Sequence, residues 1–227
     1  MNIKAVIFDL DGVITSSSKE HFLAWANLAN ELGGTLSDHI MDAVKGRSRI
    51  ASLDLVLDDI KMADKFSSQQ KKELADRKNR YYIDMIAKFN PCNLELGAID
   101  LFEYLIKNGV KIALGSVSKN ARMLLDNMKI TDYFDYIVDP ATVKSAKPAP
   151  DIFLNAADYF GFEHRFCVGI EDAPAGITAI KSAGMFAIGI GDKDLLTEAD
   201  IVYRALQDVD IAYIDSIIMT QSSSLFN

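Results

Sequence analysis

Apolar and polar positions follow two different rhythms along this chain. From Leu96 onward, short apolar runs alternate with stretches whose apolar residues recur at helical spacing, and VKIALGS, YIVD, RFCVGI and FAIGIG read as strands with helices between them. That alternation predicts βαβ units and a parallel sheet covered on both faces. The first strand, Ile3 to Phe8, stands apart from the series, because between it and Pro91 the pattern is helical with no strand signal. In EHFLAWANLANELGG the residues Phe22, Trp25, Leu28, Ala29 and Leu32 form one apolar stripe, ended by Gly33. SRIASLDLVLDDI and QQKKELADRKNRYYIDMIAKF are helical as well, the second with a charged face for solvent. The predicted fold class is therefore α/β, a parallel sheet core with an inserted helical cap domain. The core takes residues 1–16 plus 89–227 and the cap residues 17–88, with TQSSSLFN a frayed end.

The candidate chemistry sits where the first strand stops. AVIFDLDGVIT sets Asp9 and Asp11 one residue apart, on one side of the chain, at the end of a strand where an open α/β sheet forms its ligand crevice. Two carboxylates so close need a cation or a shared proton. Mg²⁺ fits, since it prefers hard oxygen ligands and keeps room for a substrate phosphate. A calcium loop does not fit, because Val13 and Ile14 stand where it needs an oxygen ligand and a turn glycine. A solvent-facing acidic loop is the bland alternative for this motif taken alone.

VGIEDAPAGI adds Glu171 and Asp172 at another strand end, where acidic residues also serve as helix caps. Beside Asp9 and Asp11 they read as a hard-cation site. ALGSVSKN offers Ser116, Ser118, Lys119 and Asn120 ahead of a helix, and SAKPAPDIF offers Lys147. A metal with lysine and serine is the equipment for holding a transferring phosphoryl group. No P-loop sequence is present, so a carboxylate nucleophile is the remaining route.

Composition narrows the partners. Lys plus Arg number 24 against 32 for Asp plus Glu, a net charge of −8, which opposes general attraction to nucleic acid or to an anionic membrane. An anionic substrate would need local cations. The two cysteines, Cys92 and Cys167, are too few for a disulfide framework or a zinc site, and Cys167 reads as core filler. No stretch reaches the length of a membrane span, and acidic residues directly after the first apolar run differ from a signal or transit peptide. A cytoplasmic, reducing setting is expected.

The motifs DLDGV, GSVSKN, KPAPDIF and GIEDAPAGI, in that order, resemble the haloacid dehalogenase superfamily of phosphotransferases. The resemblance implies a Rossmann-like core, Mg²⁺ as cofactor and an aspartyl-phosphate intermediate. EHFLAW, KGRSRIASL and LADRKNRYY further resemble the cap of the superfamily's phosphosugar mutases. By that resemblance Asp9 is the nucleophile and Asp11 the general acid/base. The metal ligands are Asp9, Asp11 through its backbone carbonyl, Asp172, and Glu171 as ligand or close support. Ser116 and Lys147 hold the transferring phosphate, and Arg49, Ser118, Lys119 and Asn120 the other phosphate of a bisphosphorylated sugar. His21, Trp25, Gly46 and Lys78 complete the substrate site from the cap, His21 and Lys78 linking cap closure to Asp11. The implied reaction converts β-D-glucose 1-phosphate to D-glucose 6-phosphate through the 1,6-bisphosphate; the alternative is a Mg²⁺-dependent sugar-phosphate phosphatase. The expected partner is a small phosphosugar, with no nucleic acid and no membrane, and the expected state is a monomer. Ser16, Ser17, Arg47 and Ile50 depart from the family pattern at positions that bear on cap closure and sugar preference.

Overall fold

The computed structural model describes residues 1–44 and 47–223, the side chains of 221–223 excepted. Its elements run β1 (Ala5–Phe8), α1 (Ser18–Glu31), α2 (Ile40–Ala43), α3 (Arg49–Asp59), α4 (Ser68–Ile86), α5 (Ala98–Lys107), β2 (Lys111–Leu114), α6 (Ala121–Met128) and β3 (Tyr136–Ile137). They continue with α7 (Asp151–Phe160), β4 (Cys167–Glu171), α8 (Pro174–Ser182), β5 (Phe186–Ile190), β6 (Ile201–Tyr203) and α9 (Ile211–Ser223).

All six strands join one parallel sheet in the order β3-β2-β1-β4-β5-β6. This is the doubly wound arrangement, in which helices must cover both faces. The alternation along β1 shows how. Val6 and Phe8 pack into a core with Phe102 of α5, Leu124 of α6 and Ile214 of α9. Ala5 and Ile7 face the other way, toward Phe153 of α7 and Ile177 of α8. Cys167 is buried in that second core, and Cys92 is exposed.

The sequence pattern missed β6. Its three half-buried residues, IVY, pair only with β5 at the edge of the sheet, too short a run to show alternation. β3 is shorter than YIVD implied, two residues at the opposite edge.

Register places the crevice. Phe8 pairs with Leu114 on one side and Ile170 on the other, so the residues that follow, Asp9, Gly115 and Glu171, stand at one level across the three strands. Asp9 N donates to the Ile170 carbonyl at 2.9 Å, and Gly115 N to the Phe8 carbonyl at 2.8 Å.

The helical insertion has its own apolar centre, where Trp25 and Leu28 of α1 meet Leu53, Val56 and Leu57 of α3 and Leu74 of α4. Gly33, at φ +81°, turns the chain after α1. Ser67 and Gln70 close a capping box at the start of α4. Two linkers root the insertion side by side: Thr15 bridges Leu94, its Oγ1 donates to the Asn93 carbonyl at 2.7 Å, and Glu95 N donates to the Ile14 carbonyl at 2.9 Å. Tyr82 and Ile86, in the last turns of α4, pack in the same cluster as Phe8 and Phe102.

Because Leu57 belongs to the cap cluster alone, its truncation should loosen the cap selectively. We expect Leu57→Ala to cost about 2–5 kcal/mol of local stability. Amide exchange should accelerate in α1, α3 and α4 while β1, β2 and β4 keep their protection. Uniform acceleration across the sheet would show that the cap does not open as a separate unit.

Candidate active site

At the floor of the crevice lies a knot of buried charge. Lys147 Nζ donates to Asp9 Oδ1 at 2.5 Å and to Glu171 Oε1 at 3.2 Å, with the Phe153 ring 5.1 Å away. The Lys147–Pro148 peptide is cis. Asp11 N donates to Asp9 Oδ2 at 3.0 Å, and Asp172 N to Glu171 Oε2 at 2.9 Å. Burial raises the Asp9 carboxyl above its ordinary pKa; Lys147 opposes that rise, while the Asp11 charge adds to it. Burial, followed by the Asp9 charge, pushes Glu171 well up. Burial works against the Lys147 charge too, but Asp9 and Glu171 outweigh it and hold the ammonium above its usual value.

These charges bear on whether a metal fits. Asp9, Glu171 and Asp172 each bring one carboxylate oxygen within 4.8 Å of the others. Lys147 reaches two of these carboxylates, Asp9 and Glu171, and the donors of the cluster are all hard oxygens. The cluster fits a divalent, oxygen-seeking cation. Two glycines make room for it. A Cβ on Gly12, itself at φ +88°, would fall 2.1 Å from Asp172 Oδ2, and one on Gly176 would fall 1.8 Å from Glu171 Oε1.

The Asp11 side chain turns the other way, toward the cap. Its Oδ1 accepts a short hydrogen bond from Ser17 Oγ, and Tyr82 Oη lies 3.0 Å from the same hydroxyl. His21 Nε2 stands 3.7 Å from Asp11 Oδ2, near enough for charge to be felt though too far for a hydrogen bond. Burial would raise the Asp11 pKa, yet His21 and the Ser17 hydroxyl together hold it below the ordinary value. His21 itself is lowered, by burial first, which Asp11 only partly offsets. Lys78 Nζ is 2.7 Å from His21 Nδ1. While Lys78 carries its proton it can only donate, so in that state Nδ1 accepts and Nε2 carries the proton facing Asp11.

Two helices build this arrangement by i,i+4 spacing. His21 and Trp25 lie one turn apart on α1, and Lys78 and Tyr82 one turn apart on α4. Their side chains interleave: His21 stacks on Tyr82 at 3.8 Å between ring centres, and Lys78 Nζ lies 4.7 Å from the Trp25 ring and 4.8 Å from that of Tyr82. Trp25 thus serves the cap core and the site at once. Burial, and next the Arg49 charge, lower Lys78 to about 7.

Between cap and core opens a cavity of about 410 Å³. Asp9, Asp11, His21, Trp25, Arg49, Lys78, Ser116, Ser118 and Lys119 all line it. Arg49 Nη1 is 3.5 Å from Asp76 Oδ1. Ser116 Oγ accepts from Ser118 N at 3.2 Å and Ser118 Oγ from Asn120 N at 3.3 Å, which folds the loop ahead of α6. Asn120 does not line the cavity; its amide donates to Asn79 Oδ1 of α4 at 2.7 Å, a contact between core and cap. Gly46 lies outside the described residues. Sequence reasoning gave no site role to Ser17, Tyr82, Gly176 or Asp76. The one available signal was Tyr82, a turn after Lys78 on the same helix face.

A parallel sheet of this order, with acidic residues and a lysine meeting at its carboxyl edge beneath a helical cap, defines an enzyme of the haloacid dehalogenase type. The family pattern of haloacid dehalogenase-like hydrolases matches residues 3–184, and the chain belongs to that family. It is 43% identical over 209 residues to the β-phosphoglucomutase of Bacillus subtilis (strain 168), covering 92% of each chain. Among solved structures, the β-phosphoglucomutase of Clostridium difficile superposes with a TM-score of 0.93 at 37% identity, over 97% of this chain and 99% of that one. A phosphorylated carbohydrates phosphatase of Thermotoga maritima is 27% identical over 88% of this chain and 93% of its own.

The depressed pKa of Lys78 has a thermodynamic sign. An unfolded lysine holds its proton to a pH of about 10.4, whereas folded Lys78 releases it near 7. Between those values the unfolded state binds more protons, so this group makes stability rise with pH, by up to about 1.4 kcal/mol per pH unit. Lys78→Met should therefore stabilise the protein most at pH 6 and progressively less toward pH 10, read from urea unfolding across that range. A difference between the two proteins that does not change with pH would remove the buried charge as its cause.

Proposed function

We propose that this protein is a β-phosphoglucomutase, interconverting β-D-glucose 1-phosphate and D-glucose 6-phosphate through an enzyme-bound 1,6-bisphosphate. The observation that carries the reading is the distribution of polar groups over the cavity. A carboxylate for phosphoryl chemistry lies on the core side, and the second carboxylate, Asp11, is engaged by groups of the cap and its linker. The 43% identity to the B. subtilis enzyme supports it. We also propose that the cap corresponds to residues 17–88 and the core to 1–16 with 89–227.

In this reading Asp9 carries the phosphoryl group. The C6 hydroxyl of β-glucose 1-phosphate attacks phosphorus, the Asp9–phosphorus bond breaks, and Asp11 accepts the hydroxyl proton. The bisphosphate then reverses, Asp9 attacks the C1 phosphate, and Asp11 returns its proton to the departing O1. Ser116 and Lys147 hold the phosphoryl group in flight, and Lys147 balances the charge of Asp9 before transfer. Arg49, Ser118 and Lys119 hold the other phosphate. Asn120 acts through its contact with Asn79 and through its backbone N–H on Ser118 Oγ. Mg²⁺, held by Asp9, Asp172, Glu171 and the Asp11 backbone carbonyl, would supply positive charge to the phosphoryl oxygens when bound. Ser17 and His21 set the Asp11 carboxyl; as either moves with the cap, its acid strength changes with closure.

A sugar-phosphate phosphatase would share Asp9, Asp11 and Lys147 but use water as acceptor, and relatives named as phosphatases keep that reading in view. Phosphorus NMR of the enzyme with Mg²⁺ and β-glucose 1-phosphate, primed with a trace of the 1,6-bisphosphate, separates the two. Accumulating glucose 6-phosphate supports the mutase, whereas accumulating inorganic phosphate overturns it.

The two carboxylates should fail differently. Asp9→Asn should form no phosphoenzyme from acetyl phosphate. Asp11→Asn should keep its Mg²⁺ affinity and lose roughly 10²–10⁴-fold in turnover, the range of general acid–base catalysis. Equal loss of metal affinity in both would reverse the assignment.

Arg49→Ala removes a charge-assisted grip on the phosphate not being transferred. Mutase flux should fall steeply, phosphoryl transfer from acetyl phosphate should change far less, and inorganic phosphate should grow relative to glucose 6-phosphate. An unaltered product ratio at normal flux would take Arg49 out of the site.

A further inference from the structure

The cavity holds more positive charge than the functional reading above uses. Arg47, Arg49 and Lys78 enter it from the cap, Lys119 and Lys144 from the core. Arg49 leans toward Asp76, and Lys78 is occupied by His21. Arg47 and Lys144 are both exposed, and neither pairs with a carboxylate among the described residues. Arg47 is nevertheless steered, because its Nε donates to the Ala43 carbonyl at 2.8 Å. Lys144 sits in a braced loop: Ala141 N and Thr142 Oγ1 donate to Asp139, and Ser145 N donates to Asp151 Oδ1 at 3.1 Å. In a chain of net charge −8, two cations that line one cavity and pair with no carboxylate among the described residues set a local field opposed to that of the whole.

We propose that Arg47 and Lys144 form an anion-capture subsite that favours a doubly phosphorylated sugar over smaller phosphoryl donors with a single phosphate. The proposal rests on the reading of the protein as a mutase working through a bisphosphate. A donor with one phosphate commits it to Asp9, Ser116 and Lys147, leaving the mouth cations without an anion. A bisphosphate carries a second dianion that they attract as it enters. Because one cation belongs to the cap and the other to the core, their mutual repulsion opposes closure of the empty cavity, and a dianion between them reverses its sign. Selection and closure then follow from the same charge. Both side chains are exposed, so neutral replacements leave the packed interior intact.

The test compares phosphoenzyme formation from glucose 1,6-bisphosphate with that from acetyl phosphate in wild type, Arg47→Gln, Lys144→Gln, the double variant and Arg47→Lys. The ratio of the two kcat/KM values should fall about 3-fold in each single variant and about 10-fold in the double, at low salt, in line with steering by a few local charges. The loss should lie in KM, and added salt should lower the bisphosphate rate less steeply in the variants than in wild type. Arg47→Lys, which keeps the charge, should restore most of the ratio. A ratio and salt slope that match wild type in the double variant would overturn the subsite. A wild type that takes phosphate from the bisphosphate yet yields only inorganic phosphate overturns the mutase reading alone, since the capture ratio still decides the role of Arg47 and Lys144.

Discussion

Everything at this site is arranged around the ion pair between Asp9 and Lys147. A carboxylate at the end of β1, inside a six-stranded sheet, is nearly closed off from water, and burial alone favours its neutral form. The ammonium at 2.5 Å counters that tendency, and Glu171 at 3.2 Å in turn keeps the ammonium charged. Together with Asp172 these carboxylates make a cluster of hard oxygen donors suited to a divalent ion. It also dictates the backbone: Gly12 and Gly176 carry no Cβ because the carboxylates of Asp172 and Glu171 occupy the space where one would lie. Removing Lys147 would leave buried charge unpaired, at a cost well beyond one hydrogen bond.

How much of this could be read from the sequence depended on whether the cause was local. β1, β2, β4 and β5 announced themselves because apolar runs buried on both faces cannot be mistaken for surface, and Asp9, Asp11, Glu171 and Asp172 stood out because charge at the end of such a run contradicts burial. Lys147 followed from its proline-rich surroundings and the resemblance they carry. β6 stayed hidden because three half-buried edge residues carry no period. Ser17 and Tyr82 were missed for another reason: their role is a bond to Asp11 and a bond to each other, across 65 positions of chain in the second case. No propensity or pattern encodes such a pairing.

The cap shows how an ordinary amphipathic helix acquires chemistry. The stripe containing Trp25, read as core, is core, and the same spacing that buries it sets His21 one turn earlier over the crevice. On α4 the same step separates Lys78 from Tyr82. Neither helix alone makes a site; the aromatic box forms only when the two pack and bring an ammonium between two rings. Lys78 is thereby held in surroundings that weaken its charge while it donates to His21, so the proton facing Asp11 depends on the packing of the cap.

This dependence explains why cap position and acid strength belong to one mechanism. With Ser17 and His21 beside it, Asp11 is held ionised, ready to accept a proton but slow to give one. A mutase needs both acts from one carboxyl, at two successive steps on the same sugar. The two needs conflict if the surroundings are fixed, since whatever stabilises the base weakens the acid. They are reconciled if the stabilising groups can withdraw, and both stand at the root of the cap: Ser17 immediately before α1, His21 in its first turn. A phosphatase faces the same two acts but need not exclude water between them. On the mutase reading proposed above, the coupling of Asp11 to the cap through Ser17 and His21 serves a reaction whose acceptor is a sugar hydroxyl and from which competing solvent must be shut out.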